Sequence, residues 1–203
     1  MSALAFSKQR FAAFLLGALV GGLGASLLMA LFTPEISDFE VADQPQVSRS
    51  LPVSLKISSV GIEANFGTPV GLNESGDLEV PDYYDQVAWY QPGPTPGEFG
   101  PSVVLGHVDS EAGPEIFHPL KDVSEGDLIE VAREDGSVAV FLVYEVDYYS
   151  QKNFPMAQVF GTADGAELRL VTCAGTFNKN NYRYSHNLVV YSKLQEIRSG
   201  DGG

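Results

Sequence analysis

The sequence predicts an all-β domain, a closed barrel or a sandwich, carried behind one N-terminal transmembrane helix. Three observations point there. A single uncharged apolar block near the start is long enough to span a bilayer. From Leu51 onward, short apolar or alternating runs are bounded by Gly, Pro, Asn and Asp, as strands are. No Pro-free helical stretch of a dozen residues stands out in that later region.

The block runs from Phe11 to Phe32. At a rise of about 1.5 Å per residue it crosses a hydrocarbon core of roughly 30 Å. Lys8 and Arg10 precede it, while Glu35, Asp38, Glu40 and Asp43 follow. The positive-inside bias therefore puts residues 1–10 in the cytoplasm and the rest of the chain outside the cell membrane. A cleaved signal peptide competes with this, but its apolar region is usually about 7–15 residues and ends at a small-x-small site. No convincing site of that kind precedes Pro34. Gly17 and Gly21 make a GxxxG pattern, weak evidence for helix pairing in so Gly-rich a span.

Residues 33–50 are polar and acidic without sustained periodicity, and are expected to be a flexible linker. The domain then occupies 51–195. Its clearest strand candidates are Val53–Ser58, Gln86–Tyr90, Ser102–His107, Asp127–Arg133, Val138–Tyr149, Glu167–Cys173 and Asn187–Lys193. Asp135-Gly136, between the fourth and fifth, is a tight-hairpin signal because both residues tolerate positive φ, so those two strands are expected to pair antiparallel. Pro114–Val123 and Met156–Phe160 have room for a turn of helix each, and 196–203 reads as a disordered tail.

The formal net charge of −14 excludes nucleic acid as a natural partner, since phosphate binding needs clustered Lys and Arg. The sole cysteine, Cys173, has no intramolecular disulfide partner. On count alone it is as readily a buried inert thiol as a reactive one. Its neighbourhood decides more. It ends the run Leu168-Arg169-Leu170-Val171-Thr172 and precedes the small residues Ala174-Gly175-Thr176, where the chain is expected to turn and leave the thiol at a sheet rim.

A working thiol needs a base or a cation nearby. Of three histidines, His107 also ends a strand-like run, with Gly106 beside it allowing close backbone approach. His118 lies in a probable-loop context between Phe117 and Pro119, and His186 precedes the last strand. Thiolate attack on an amide creates an oxyanion, and Arg183 lies where a cation is wanted, between Cys173 and the closing strand. Arg169, four residues before Cys173, is expected to be a solvated surface charge.

Leu170-Val171-Thr172-Cys173 resembles the TLxTC signature of sortases, and Leu105-Gly106-His107-Val108-Asp109-Ser110 resembles their catalytic-histidine segment. Leu51-Pro52-Val53, Val60-Gly61-Ile62, Val70-Gly71-Leu72, Trp89-Tyr90 with Pro92-Gly93-Pro94, Pro96-Gly97-Glu98 and Asn187-Leu188-Val189-Val190-Tyr191 are similar to the actinobacterial class F or class E members. The order and spacing of these segments span nearly the whole outward domain.

The resemblance implies a sortase-like closed barrel of about eight strands and a cysteine transpeptidase of the cysteine peptidase class. Cys173 would attack a sorting signal of LPxTG type, form a thioacyl-enzyme and pass the acyl group to an amine. His107 would be acid and base, Arg183 the oxyanion cation, and Thr172 and Ala174 would shape the substrate pocket. The implied partners are secreted proteins bearing sorting signals and, as acceptor, a cell-wall precursor or pilin amine. No cofactor is implied and no metal is expected, since the acidic residues are too dispersed for a calcium site.

The resemblance breaks at one place. The pattern expects an Arg-Asp pair just before the Asn of the last strand, whereas Ser185 and His186 stand there and Arg183 lies two residues earlier. A catalytically silent barrel that binds peptide or wall polymer is therefore the alternative. An L,D-transpeptidase would also suit a tethered thiol, but that family places its cysteine in a Ser/Thr-His-Gly-Cys run.

Overall fold

Alternating side chains make β1 (Pro52–Ile57) and β2 (Ile62–Asn65) an antiparallel pair, with Leu55, Ile57, Ile62 and Ala64 turned inward. The chain then passes through β3 (Ala88–Trp89) and β4 (Gly100–Leu105) into a small hairpin of β5 (Asp109–Ser110) and β6 (Gly113–Pro114). A 3₁₀ turn over His118–Asp122 leads to β7 (Leu128–Arg133) and β8 (Ser137–Ser150). A short helix, α1 (Met156–Phe160), precedes β9 (Ala166–Asn178) and β10 (Arg183–Ser199).

This computed structural model describes residues 47–76 and 78–199. The segment 1–10 expected in the cytoplasm, the expected span 11–32, the expected linker as far as residue 46 and positions 200–203 of the expected tail lie outside the described residues. Among the described residues no helix is long and apolar enough to cross a membrane. The chain divides after Glu40, and all that follows concerns the second unit.

The hairpin expected at Asp135-Gly136 is present. Gly136 has a φ of 81°, and the Asp135 carboxylate accepts the Ser137 N–H at 2.9 Å and its hydroxyl at 2.6 Å. Those bonds hold the carboxyl below its usual range. Across the turn Leu128–Ala132 pairs antiparallel with Val138–Leu142. Both expected helical turns also form, at His118–Asp122 and Met156–Phe160.

Eight strands form one curled sheet in the order β2-β1-β7-β8-β10-β9-β4-β3. It is an open half-barrel, not the closed barrel expected. Its edges meet only through isolated parallel bridges, Phe66 with Val87 and Val70 with Tyr90. Three residues lie between the bridges on one side and two on the other, so the register slips, and between them Pro69 has no N–H to offer. A continuous ladder cannot run through that point.

The concave face gathers the main core, including Leu55, Val104, Phe117, Phe141, Leu170 and Leu188. The opposite face of β4, β9 and β10 is also covered, with Val103, Leu105, Val171, Val189 and Tyr191 packed near Val159 of α1. Burial on both faces explains why β4 is buried throughout and does not alternate. It also makes β4 a rigid neighbour for β9.

Four expectations are corrected. Arg169 is buried, not solvated: its guanidinium pairs with Glu167 at 2.7 Å, donates to the carbonyl of Val159 at 2.9 Å and lies over the Tyr191 ring. An outward side chain is buried here because α1 covers that face. The linker does not stay free to Ser50, since the buried Arg133 takes the Ser48 carbonyl and the Ser50 N–H reaches Thr95 Oγ1. The chain does not turn after Cys173, because β9 continues to Asn178. At the other end β10 reaches Ser199, with Glu196–Ser199 pairing against Ser137–Val140, so 196–199 is strand and not tail.

Candidate active site

Only β4 and β9 are paired in parallel within the sheet, and their register sets the site. The last pair is Leu105 with Val171. His107 follows two residues after Leu105, past the end of β4, and Cys173 two residues after Val171 on β9, and both line the same cleft. Neighbouring strands lie about 4.8 Å apart. Distant segments of sequence thus bring an imidazole and a thiol to one cleft.

Two bonds hold that register past the end of the ladder. The Gly106 N–H donates to the Val171 carbonyl at 3.2 Å, and the Thr172 hydroxyl donates to the Gly106 carbonyl at 2.8 Å. Gly106 is required, since a Cβ there would lie 2.5 Å from the buried Phe117 ring. Phe117 in turn donates its N–H to the His107 carbonyl at 2.9 Å. Beyond Leu105 the chain of β4 ends as a strand while β9 runs on, which leaves the β9 edge at Cys173 open.

That opening is a cleft of about 810 Å³. His107, Cys173, Thr172 and Arg183 all line it. Of the expected site residues Ala174 does not: it pairs with His186 and packs against the main core, because consecutive strand residues face opposite ways. Thr172 is itself 5% exposed, and its hydroxyl is spent on Gly106. Its part is to position the strand ends rather than to meet a ligand.

His107 Nε2 lies 2.9 Å from the Pro81 carbonyl oxygen. A carbonyl only accepts, so Nε2 carries the hydrogen and Nδ1 is left as the basic nitrogen. The Tyr84 ring leans on the imidazole with centroids 4.4 Å apart. Both contacts come from the loop between β2 and β3, which forms one wall of the cleft. Neither was legible in the sequence, where nothing distinguishes residues 81–84 from any polar loop.

The unpaired Cys173 thiol faces the cleft, and desolvation by surrounding protein pushes its pKa up. The Asp109 carboxylate adds to the rise. Asp109 also accepts the Tyr184 hydroxyl, and that phenol is pushed up to about 12, first by burial and then by this bond. With its pKa raised, the Cys173 thiol stays protonated at pH 7.

Arg183 opens β10 opposite Asn178, exposed at the outer end of the cleft. It lies four residues along the strand from Asn187, the partner of Cys173, or about 13 Å of extended chain. A bulge between Tyr184 and His186 absorbs Ser185, whose hydroxyl accepts the Thr176 N–H at 2.9 Å. His186 faces away from the Cys173 side and His118 sits beside Lys121. Among the described residues His107 is the one histidine lining the cleft.

A sortase-domain family model matches residues 55–195. Among solved structures, sortase A of Listeria monocytogenes aligns with a TM-score of 0.57 at 16% identity, covering 76% of this chain and 93% of that one. Sortase A of Corynebacterium diphtheriae gives 0.56 at 16% identity over 76% of this chain and 65% of that one. Sortase C-1 of Actinomyces oris gives 0.55 at 15% identity over 74% and 76%. No curated protein matches the chain.

Proposed function

Because the chain belongs to the sortase family, we propose that it is a cysteine transpeptidase that cuts a sorting signal of LPxTG type and joins the acyl part to an amine. What supports this most directly is the parallel register of β4 and β9, after whose last pair His107 and Cys173 follow at equal spacing and line one cleft. The motif set favours the actinobacterial class F or class E type. We also propose a tether through residues 11–32, with the domain at the outer face of the membrane.

The chemistry follows from the two side chains. As the peptide carbonyl approaches, Nδ1 of His107 takes the thiol proton, since the thiol does not ionise by itself at neutral pH. The sulfur bonds to the carbonyl carbon, the C–N bond breaks, and the imidazolium returns its proton to the leaving amine. A thioester on Cys173 remains. The incoming amine loses a proton to His107, attacks the thioester and releases the thiol; water in its place gives hydrolysis.

Arg183, at the outer end, serves the peptide flanking the scissile bond. The acceptor is a cell-wall precursor or pilin amine, and the acyl donors are secreted proteins carrying the signal.

The test is a peptide-library cleavage assay on the soluble domain. Wild-type protein is expected to show a thioacyl adduct on Cys173 by mass spectrometry. Cys173→Ala and His107→Ala each lower turnover by roughly 10³-fold or more, because the pair works as one unit. Undiminished turnover in Cys173→Ala removes the proposal. Peptide that binds intact to wild type, with no adduct, returns the domain to a binding module.

A further inference from the structure

Resting on the transpeptidase reading above, we infer that Asn187 is the oxyanion donor of this site, presenting its side-chain amide N–H to the carbonyl oxygen of the substrate as Cys173 attacks. Four features of the cleft converge on it.

The first is register. Asn187 and Cys173 are directly opposed on antiparallel β10 and β9. Opposed residues of an antiparallel pair share a face, with Cβ atoms about 4.5–5.5 Å apart. Both side chains line the cleft. A peptide carbonyl placed for attack by the sulfur therefore lies within reach of the amide.

The second is orientation. Gln151, the first residue after β8, donates its side-chain N–H to Asn187 Oδ1 at 3.3 Å. That bond occupies the acceptor end of the Asn187 amide. Among the described residues Nδ2 donates to no acceptor, which leaves its hydrogens available to a ligand in the cleft that Asn187 lines. A donor held in advance costs no reorganisation when charge develops, which is what makes such groups effective.

The third is the fate of the other donors. The hydroxyl of Thr172 is engaged with the Gly106 carbonyl, and Ser185 is committed to its own bulge. Arg183 stands about 13 Å along the strand from the level of Cys173 and is exposed. Asn187 is the polar side chain directly opposite Cys173 on the ladder.

The fourth is charge. In the attack the C–S bond forms while the carbonyl π pair moves onto oxygen, and the amide N–H shares its hydrogen with that oxyanion without giving it up. When the oxyanion collapses, the pair returns to the carbonyl and the C–N bond breaks, with the proton for the amine coming from His107. A neutral amide serves through the whole cycle because it changes neither charge nor protonation.

The test compares two reactions of the same sulfur in the whole soluble domain. Acylation by p-nitrophenyl acetate passes through an oxyanion, whereas alkylation by iodoacetamide displaces iodide and does not. In Asn187→Leu, acylation is expected to fall about 10²-fold, the usual effect of losing one such donor. Alkylation stays at the wild-type rate. Asn187→Asp is at least as slow in acylation, because a carboxylate repels the oxyanion. Gln151→Leu leaves β10 untouched and lowers acylation by a smaller factor, which keeps the question open to measurement if the strand variants do not fold.

Acylation and alkylation falling together would make Asn187 a group that holds the thiol, and acylation unchanged would give it no part; either overturns the inference. Wild-type protein that takes the ester but cuts no sorting peptide fails the transpeptidase reading alone, because the ratio of the two rates does not depend on a peptide.

Discussion

The two ends of the cleft are built differently. At the inner end Cys173, His107 and Asn187 are held by backbone registers of β9 with β4 and with β10, over a core in which Val104, Leu170 and Phe117 are fully buried. At the outer end Phe177, Tyr182 and Arg183 ride the β9–β10 hairpin beyond any contact with β4, all exposed, with Tyr182 at a φ of 53°. Burial on both faces of β4, β9 and β10 fixes the backbone that carries the first set. The second set has little besides ring contacts such as Phe177 with Tyr184. Groups that must meet reacting atoms belong on the ladder, and groups that meet a variable substrate can belong on the tip.

The largest expected effect comes from disturbing the ladder end without touching a reacting group. In Gly106→Ala the new Cβ overlaps the Phe117 ring, whose N–H holds the His107 carbonyl. Overpacking of this kind costs about 1–3 kcal/mol of stability, measurable by denaturant unfolding. The displaced imidazole is expected to lower kcat by about 10²-fold, as a misplacement near 1 Å does. A variant that keeps kcat would mean that His107 tolerates movement, and the contrast between the two ends would dissolve.

A smaller effect is expected at the tip. Arg183→Lys keeps the charge and loses the planar fork, so it should raise KM severalfold and leave kcat close to wild type. The measurement is a Michaelis curve on the best library peptide. A fall in kcat near 10²-fold would instead bring the hairpin down over Cys173 during catalysis and give Arg183 the oxyanion role that the sequence pattern implied.

The same contrast decides how much was legible beforehand. The strands that build the ladder announced themselves: the hairpin at Asp135-Gly136 and the short helix at Met156 stand where their patterns put them, while the run read to His107 stops as a strand at Leu105 and the one read to Cys173 continues to Asn178. Strand β2 was passed over as a strand because four residues beside Gly61 are too short to show alternation. The open edge was hidden because closure depends on a register slip at Pro69, a tertiary event with no periodic trace. Arg169 misled because charge normally means solvent, and nothing local tells that α1 folds over it. Asn187 had a motif position but no role until Gln151 and Cys173 were placed beside it.

The smallest effect sharpens the boundary between the two ends, where Asp109 faces the thiol while bonded to Tyr184. A negative charge beside a thiol disfavours thiolate, so the Cys173 pKa lies above its ordinary value and the thiolate fraction at neutral pH is depressed. Asp109→Asn removes the charge and keeps an oxygen for the Tyr184 hydroxyl. Its curve of iodoacetamide alkylation against pH should move to lower pH, with the rate at pH 7 rising a few-fold. Desolvation, the larger cause of the rise, is untouched, so the thiol should still titrate above its ordinary value. A curve that stays in place would mean that solvent in the cleft screens Asp109 from the sulfur, and one that moves to higher pH would mean that the bond to Tyr184 had been holding the site open.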